Sequence, residues 1–221
     1  MPNPCATAWQ RSPLTLPVTW TTPACTPCSA GTPPHRHPPQ EAATRTHSTL
    51  MAMGKAAEAE QFAQRWIQDH PADALFPFYL ADRALAARNL SVAEVRYREV
   101  LKLQPKNALA MNNLAWLSVE LKKPGAVELA EKANQLLPGR PALMDTLATA
   151  LAYEKQLPRA VEIQKQAVDR APADGGLRVN LAKLYIQSQQ TALARQELEK
   201  VAQMGRQYGK QDEVQALLKT L

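Results

Sequence analysis

From residue 51 onward, apolar side chains recur at helical spacing and are interrupted at even intervals. Prolines stand at Pro71, Pro105, Pro138 and Pro172, separated by 34, 33 and 34 residues. Nine residues after each comes a Leu-Ala pair: Leu80-Ala81, Leu114-Ala115, Leu147-Ala148 and Leu181-Ala182. Twelve residues before each proline, and again where a fifth would fall, lies an alanine: Ala59, Ala93, Ala126, Ala160 and Ala194. A fixed period of this length is the signature of stacked supersecondary units. It predicts helix pairs at 74–87 and 91–103, 108–121 and 125–136, 141–154 and 158–170, and 175–188 and 191–203. A closing helix follows at 210–220, with Val214, Leu217, Leu218 and Leu221 on one face. An end repeat needs such a cap because its outer surface meets water.

Each register position has a physical task. The two alanines lie where the paired helices cross, and a methyl group there lets backbones approach more closely than leucine would. The leucine fills the core between neighbours. Trp66, Val100, Ala133, Ala167 and Val201 fall on the same helical face, seven positions after the second alanine. The proline lacks an N–H and constrains the residue before it, so it ends the second helix.

Residues 54–69 read as the second helix of a repeat whose first helix is absent. Phe62, Trp66 and Ile67 then lack a covering helix, and self-association through this uncapped element is expected. Residues 1–50 hold ten of the 18 prolines, all three cysteines and a single acidic residue, Glu41. Without periodic apolar residues this stretch cannot offset chain entropy. The reading is a disordered tail at 1–52 that need not be native, followed by one solenoid domain at 53–221.

The formal charge of +6 is spread over interspersed signs, without the clustered Lys and Arg that a phosphate-binding face requires, so no nucleic acid partner is expected. No apolar run reaches the 18 residues that would suggest a membrane span, and the proline-broken start lacks a secretory core. As written the chain reads as cytoplasmic. The Cys25 and Cys28 pair with His35 and His37 is the one arrangement that could ligate a metal or cycle as a dithiol. A proline-rich stretch supplies neither the helix N-terminus nor the framework such chemistry needs, and no metal or cofactor is expected. Gly175-Gly176 opens a helix without a preceding strand, which reads as a loose turn and not a phosphate cradle. No nucleophile with a base, and no carboxylate pair in a pocket, is visible, so the chain reads as non-catalytic.

Together, the spacing, the Leu-Ala pairs, the alanine after the turn and the terminal proline resemble the tetratricopeptide repeat family over about 150 residues. The usual glycine of the Leu-Gly pair is alanine throughout, and the turn glycine is replaced by Arg88, Lys122, Lys155 and Gln189. The second repeat is one residue short around Lys123-Pro124-Gly125. More narrowly, Asn107 to Trp116, Leu143 to Leu147 and the ending Ala216 to Leu221 resemble the C-terminal repeats of PrsT, the tetratricopeptide lipoprotein of PEP-CTERM/exosortase exopolysaccharide systems in Gram-negative bacteria. That resemblance implies a role in envelope export, with periplasmic or envelope-associated localisation if the native protein is longer and carries a lipoprotein signal.

The implied fold is all-α, a right-handed solenoid of about four full repeats, one preceding half repeat and a capping helix. First helices line the inner face of such a solenoid. In this register the groove residues are Phe78, Tyr79, Asp82, Asn112, Asn113, Trp116, Glu120, Asp145, Thr149, Tyr153, Val179, Asn180, Lys183 and Gln187. Asn113 and Asn180 could serve a peptide backbone or bond a neighbouring helix. Trp116 could stack on a ligand or plug a gap between repeats. Phe78 and Asp82 stand where a chaperone-type carboxylate clamp would need Lys and Asn, so the resemblance implies no such clamp. The expected function is a scaffold holding a protein or peptide partner; the alternative is a structural segment of a longer solenoid.

Overall fold

The computed structural model describes residues 39–221. The described residues form eleven α-helices, one 3₁₀ turn and no strand. In order these are α1 (Pro39–Ala52), α2 (Ala56–Asp69), α3 (Leu75–Ala86), α4 (Leu90–Leu103), α5 (Ala108–Glu120), α6 (Ala126–Leu136), α7 (Pro141–Tyr153), α8 (Leu157–Arg170), α9 (Gly175–Gln187), α10 (Thr191–Gln203), the turn Gly205–Gln207 and α11 (Gln211–Lys219). Two compact units meet in sequence at Pro105 and Lys106. In the first, α1 pairs with α2 and α3 with α4, and α1 also packs on α3. In the second, α5–α6, α7–α8 and α9–α10 are hairpins; α5 lies on α7, α7 on α9, and α11 covers α10. Among the described residues no helix is long and apolar enough to cross a membrane.

The alanines at both register positions, from Ala59 to Ala194 and from Ala81 to Ala182, are completely buried. Leu80, Leu114, Leu147 and Leu181 are buried beside them. Every second helix that precedes a proline ends on a residue with φ near −130° and ψ between 62° and 78°, namely His70, Gln104, Leu137 and Ala171. This lies outside the α region, which a following proline disfavours for its predecessor. Two residues beyond the proline, Asp73, Asn107 and Asp174 accept backbone N–H groups of the next first helix. Arg140 holds the fourth such position, and there Pro141 at the start of α7 needs no donor satisfied.

The hairpin turns are uniform. Arg88, Lys122, Lys155 and Gln189 all adopt positive φ, between 55° and 65°. Each is followed by a residue whose N–H reaches back five positions, as in Asn89 to the Ala84 carbonyl at 2.9 Å and Gln156 to that of Leu151 at 2.9 Å. This is the Schellman closure, which glycine fits best. Gly54 makes the same closure with φ of 73°, and Lys55 N–H donates to the Leu50 carbonyl at 2.9 Å.

Gly54 therefore marks a fifth hairpin turn, and the expected half repeat is a whole one. Its first helix is α1, inside the stretch read as a disordered tail. Two features disguised it. Thr44, Thr46 and Ser48 bond their own helix, as in Thr46 Oγ1 to the Ala42 carbonyl at 2.9 Å, and so are compatible with helical geometry despite modest propensity. Pro39 is the first residue of α1, where proline costs no hydrogen bond. The expectation of self-association through an uncapped α2 loses its premise, because α1 packs on α2. The tail reading for residues 1–38, and Cys25, Cys28, His35 and His37 with it, lies outside the described residues.

Two outcomes test this architecture. Leu147→Asp places an unpaired carboxylate in the core and should lower stability by about 3–5 kcal/mol in urea denaturation. Lys155→Gly removes a left-handed non-glycine residue and should raise stability by about 0.5–1 kcal/mol in the same assay.

Candidate functional site

The expected groove residues divide into those drawn into internal packing and those left facing solvent. In the first unit, Phe78 sits edge-on against the Tyr97 ring at 5.6 Å. Tyr79 packs on Phe76 with ring centroids 5.9 Å apart, and its hydroxyl lies 3.0 Å from His47 Nδ1 on α1. Asp82 accepts a short hydrogen bond from the Tyr97 hydroxyl on α4. Burial pushes the Asp82 carboxyl above the usual range, and the Tyr97 hydrogen bond opposes that rise. All three residues thus make internal contacts with their own or neighbouring hairpins.

In the second unit, Asn112, Asn113, Asp145, Val179 and Asn180 are buried. Asp145 Oδ1 accepts from Gln164 Nε2 on α8 at 2.7 Å and from Asn180 Nδ2 on α9 at 2.8 Å. Gln164 Nε2 also donates to the Leu177 carbonyl at 3.0 Å. A carboxylate taken out of water must be met by such donors, and here they come from both neighbouring helices. Asn180 therefore bonds a neighbouring helix, the second of its two expected roles.

Sequence reasoning missed Gln164. It stands four residues after Ala160, at the position held by Ala63, Tyr97, Ala130 and Leu198 in the other second helices. Its signal was a long polar side chain at an otherwise mostly apolar core register. One hairpin earlier the same network is incomplete. Asn112 occupies the register of Asp145, but Ala130 replaces Gln164, and Thr146 replaces Asn180 and spends its hydroxyl on the Ala142 carbonyl at 3.2 Å. Asn112 Nδ2 donates to Asn113 Oδ1 at 3.3 Å, and its buried Oδ1 has no partner among the described residues.

What remains toward solvent forms two rows along α5, α7 and α9. Trp116, Thr149 and Lys183 each lie two residues after the core leucine; Glu120, Tyr153 and Gln187 lie six after it. Thr149 donates to the Asp145 carbonyl at 2.9 Å, and Lys183 is held by Glu213 of α11 at 2.5 Å. Trp116 and Glu120 are half-buried, Tyr153 is 39% exposed, and Gln187 is exposed. The face thus offers two large aromatic rings and polar tips, a composition that favours contact with a partner chain. Gly175 serves packing: a Cβ there would stand 2.8 Å from Tyr208 Cδ2, and the Asp174 carboxylate takes the N–H groups of Gly176 and Leu177 at 2.8 and 3.2 Å.

The network has a measurable weight. Asp145→Ala leaves the Asn180 amide without its acceptor and should cost about 2–3 kcal/mol in urea denaturation, whereas Asp145→Asn keeps an acceptor oxygen and should cost less.

No curated protein sequence matches the chain. Among solved structures, MamA from Desulfovibrio magneticus RS-1 superposes with a TM-score of 0.67 at 18% identity, covering 76% of this chain and 95% of that one. YrrB, a TPR protein with an unusual peptide-binding site, superposes with a TM-score of 0.64 at 15% identity, covering 81% and 91%. PilF of Pseudomonas aeruginosa gives 0.62 at 19% identity, covering 82% and 87%. Residues 151–221 match the tetratricopeptide repeat family in sequence. The chain has the fold of the tetratricopeptide repeat proteins and carries that family's sequence signature in its last third.

Proposed function

We propose that the chain is a non-catalytic scaffold that holds a partner polypeptide on the exposed face of α5, α7 and α9. The observation that carries this reading is the placement of Trp116 and Tyr153 on successive first helices, with solvent access and polar groups around them. Aromatic anchors give a large contact area at low entropic cost, and a polar surround orients a guest backbone. The fold supports the reading, since a solved neighbour is described as peptide-binding and another, Cut9 with Hcn1, as part of an APC/C hetero-tetramer. Glu120 and the engagement of Lys183 by Glu213 leave no net basic character along the two rows, which suits a polar or weakly basic segment.

A narrower assignment rests on the residue runs around Asn113, Asp145 and the C-terminus: a role in exopolysaccharide export or PEP-CTERM envelope assembly, envelope-associated if the native protein is longer and carries a lipoprotein signal. The second reading, a structural segment of a longer solenoid, draws on the burial of Asn113, Asp145 and Asn180. These groups stabilise neighbouring hairpins without any guest.

Selection from a displayed library of short peptides separates the two. The scaffold reading expects peptides that bind the full chain, lose affinity about tenfold or more in the variant combining Trp116→Ala and Tyr153→Ala, and are unaffected by Leu193→Ala on α10. Equal binding to all three forms, or no peptide selected, would favour the structural reading.

A further inference from the structure

At the register position where every other first helix carries a fully buried alanine, α1 carries a histidine. His47 stands 34 residues before Ala81, in line with Ala115, Ala148 and Ala182. An imidazole is too large for a helix crossing of the kind those alanines make, and its ring is directed to α3. It meets Phe76 edge-on at 6.0 Å and Tyr79 at 5.4 Å, with Nδ1 3.0 Å from the Tyr79 hydroxyl. Only 6% of its surface is exposed.

Few other side chains hold α1 in place. Among its described side chains only Ala43 and His47 are buried, with Glu41, Thr44 and Leu50 half-buried, whereas α5, α7 and α9 each bury eight or nine residues. Ala43 contributes one methyl group to the cluster of Ala63, Phe76 and Leu80 that Phe62, Trp66, Ile67 and Tyr79 border. One of the two buried anchors is therefore the side chain that ordinarily titrates nearest neutral pH.

We propose that α1 is an acid-released cap: protonation of His47 undocks α1 from α3 and uncovers the aromatic surface of Phe62, Trp66, Phe76 and Tyr79. The charged groups around the ring decide the direction. Glu60 acts on it from α2, and Arg83 and the Tyr79 hydroxyl from α3; α1 itself also carries Glu41 and Arg45. Burial disfavours the imidazolium first, Arg83 adds repulsion, and Glu60 opposes both, so that the docked His47 is held below its ordinary value. A neutral ring can accept the Tyr79 O–H at Nδ1. The imidazolium must donate there, and the Tyr79 proton is then turned out of the contact. Undocked His47 takes a proton at its ordinary value of about 6.5. Docking is therefore at full strength above that value, and weakens as pH falls through it toward the depressed docked value. The release is a local opening of a thinly anchored element, distinct from the face of α5, α7 and α9 on which the proposed scaffold role rests.

The test is hydrogen exchange of the full chain by mass spectrometry, at about pH 7.5 and about pH 5.5, with rates corrected for intrinsic exchange. Peptides within 42–52 should lose protection severalfold, up to about tenfold, at the lower pH, while those of α4 and of α9–α10 keep theirs. His47→Gln retains an acceptor for Tyr79 but cannot titrate, and should abolish the pH dependence. Unchanged protection of 42–52 in the wild type, equal loss in His47→Gln, or loss shared by α4 would overturn the proposal. If His47→Gln leaves α1 undocked at both values, the midpoint of the wild-type transition is compared with the His47 imidazole titration by NMR. Coincident midpoints support release by this group, and separate midpoints refute it.

Discussion

Fully buried alanines on the packed helices set the spacing on which the rest of this molecule depends. Nine register alanines, five on second helices and four on first helices, have no exposed surface. A larger side chain at any of them would push a hairpin open, because close-packed interiors do not absorb added methylenes cheaply. With the spacing fixed, the neighbouring leucines fill what remains. The Schellman turns then close at the same step each time, and the proline that ends each pair fixes the conformation from which the next capped helix starts. Small residues at the crossings, capped helix starts and left-handed turns all specify the same hairpin, which is what consistency between local and global structure requires.

Where that spacing is broken, the molecule gains its distinctive features. In the first hairpin an imidazole replaces a methyl group, and the helix that carries it rests on few buried side chains. In the α5–α6 hairpin one residue is missing after the turn, Gly125 takes positive φ as the N-cap, and α6 shortens to 11 residues. Along α7 and α9 polar groups enter the core, but they arrive as a matched set of carboxylate and amides and so avoid the cost of unpaired burial.

The fold from α3 onward was legible because it repeats. Helix ends read from the spacing fall within two residues of those observed, down to the closing helix with its buried Val214. The first helix was not legible from composition, which placed Pro39, Thr44, Thr46 and Thr49 among residues that avoid helix. It was legible from register: Gly54 lies one period before Arg88, at the turn position that favours glycine. The candidate face shows the opposite pattern. Register placed the candidate residues on the first helices, but not which of them turn inward. Asp145 is buried because Gln164 and Asn180, 19 and 35 residues away, supply donors. Asp82 is half-buried because Tyr97, 15 residues away, does the same. Pairings between helices of this kind leave no periodic trace, since each depends on one side chain at one hairpin.

The amide and carboxylate set joining α7, α8 and α9 makes these hairpins non-interchangeable. Moving the α9–α10 hairpin to follow α5–α6 would set Asn180 beside Asn112 and Ala130, where no carboxylate awaits its amide and no glutamine completes the set. The apolar contacts would tolerate such an exchange, since the register leucines and alanines of the α5–α6, α7–α8 and α9–α10 hairpins are alike. The order of otherwise similar modules along the chain is thereby written into one polar junction, and a duplicated or deleted hairpin at that junction would be rejected by unmet hydrogen bonds and not by shape.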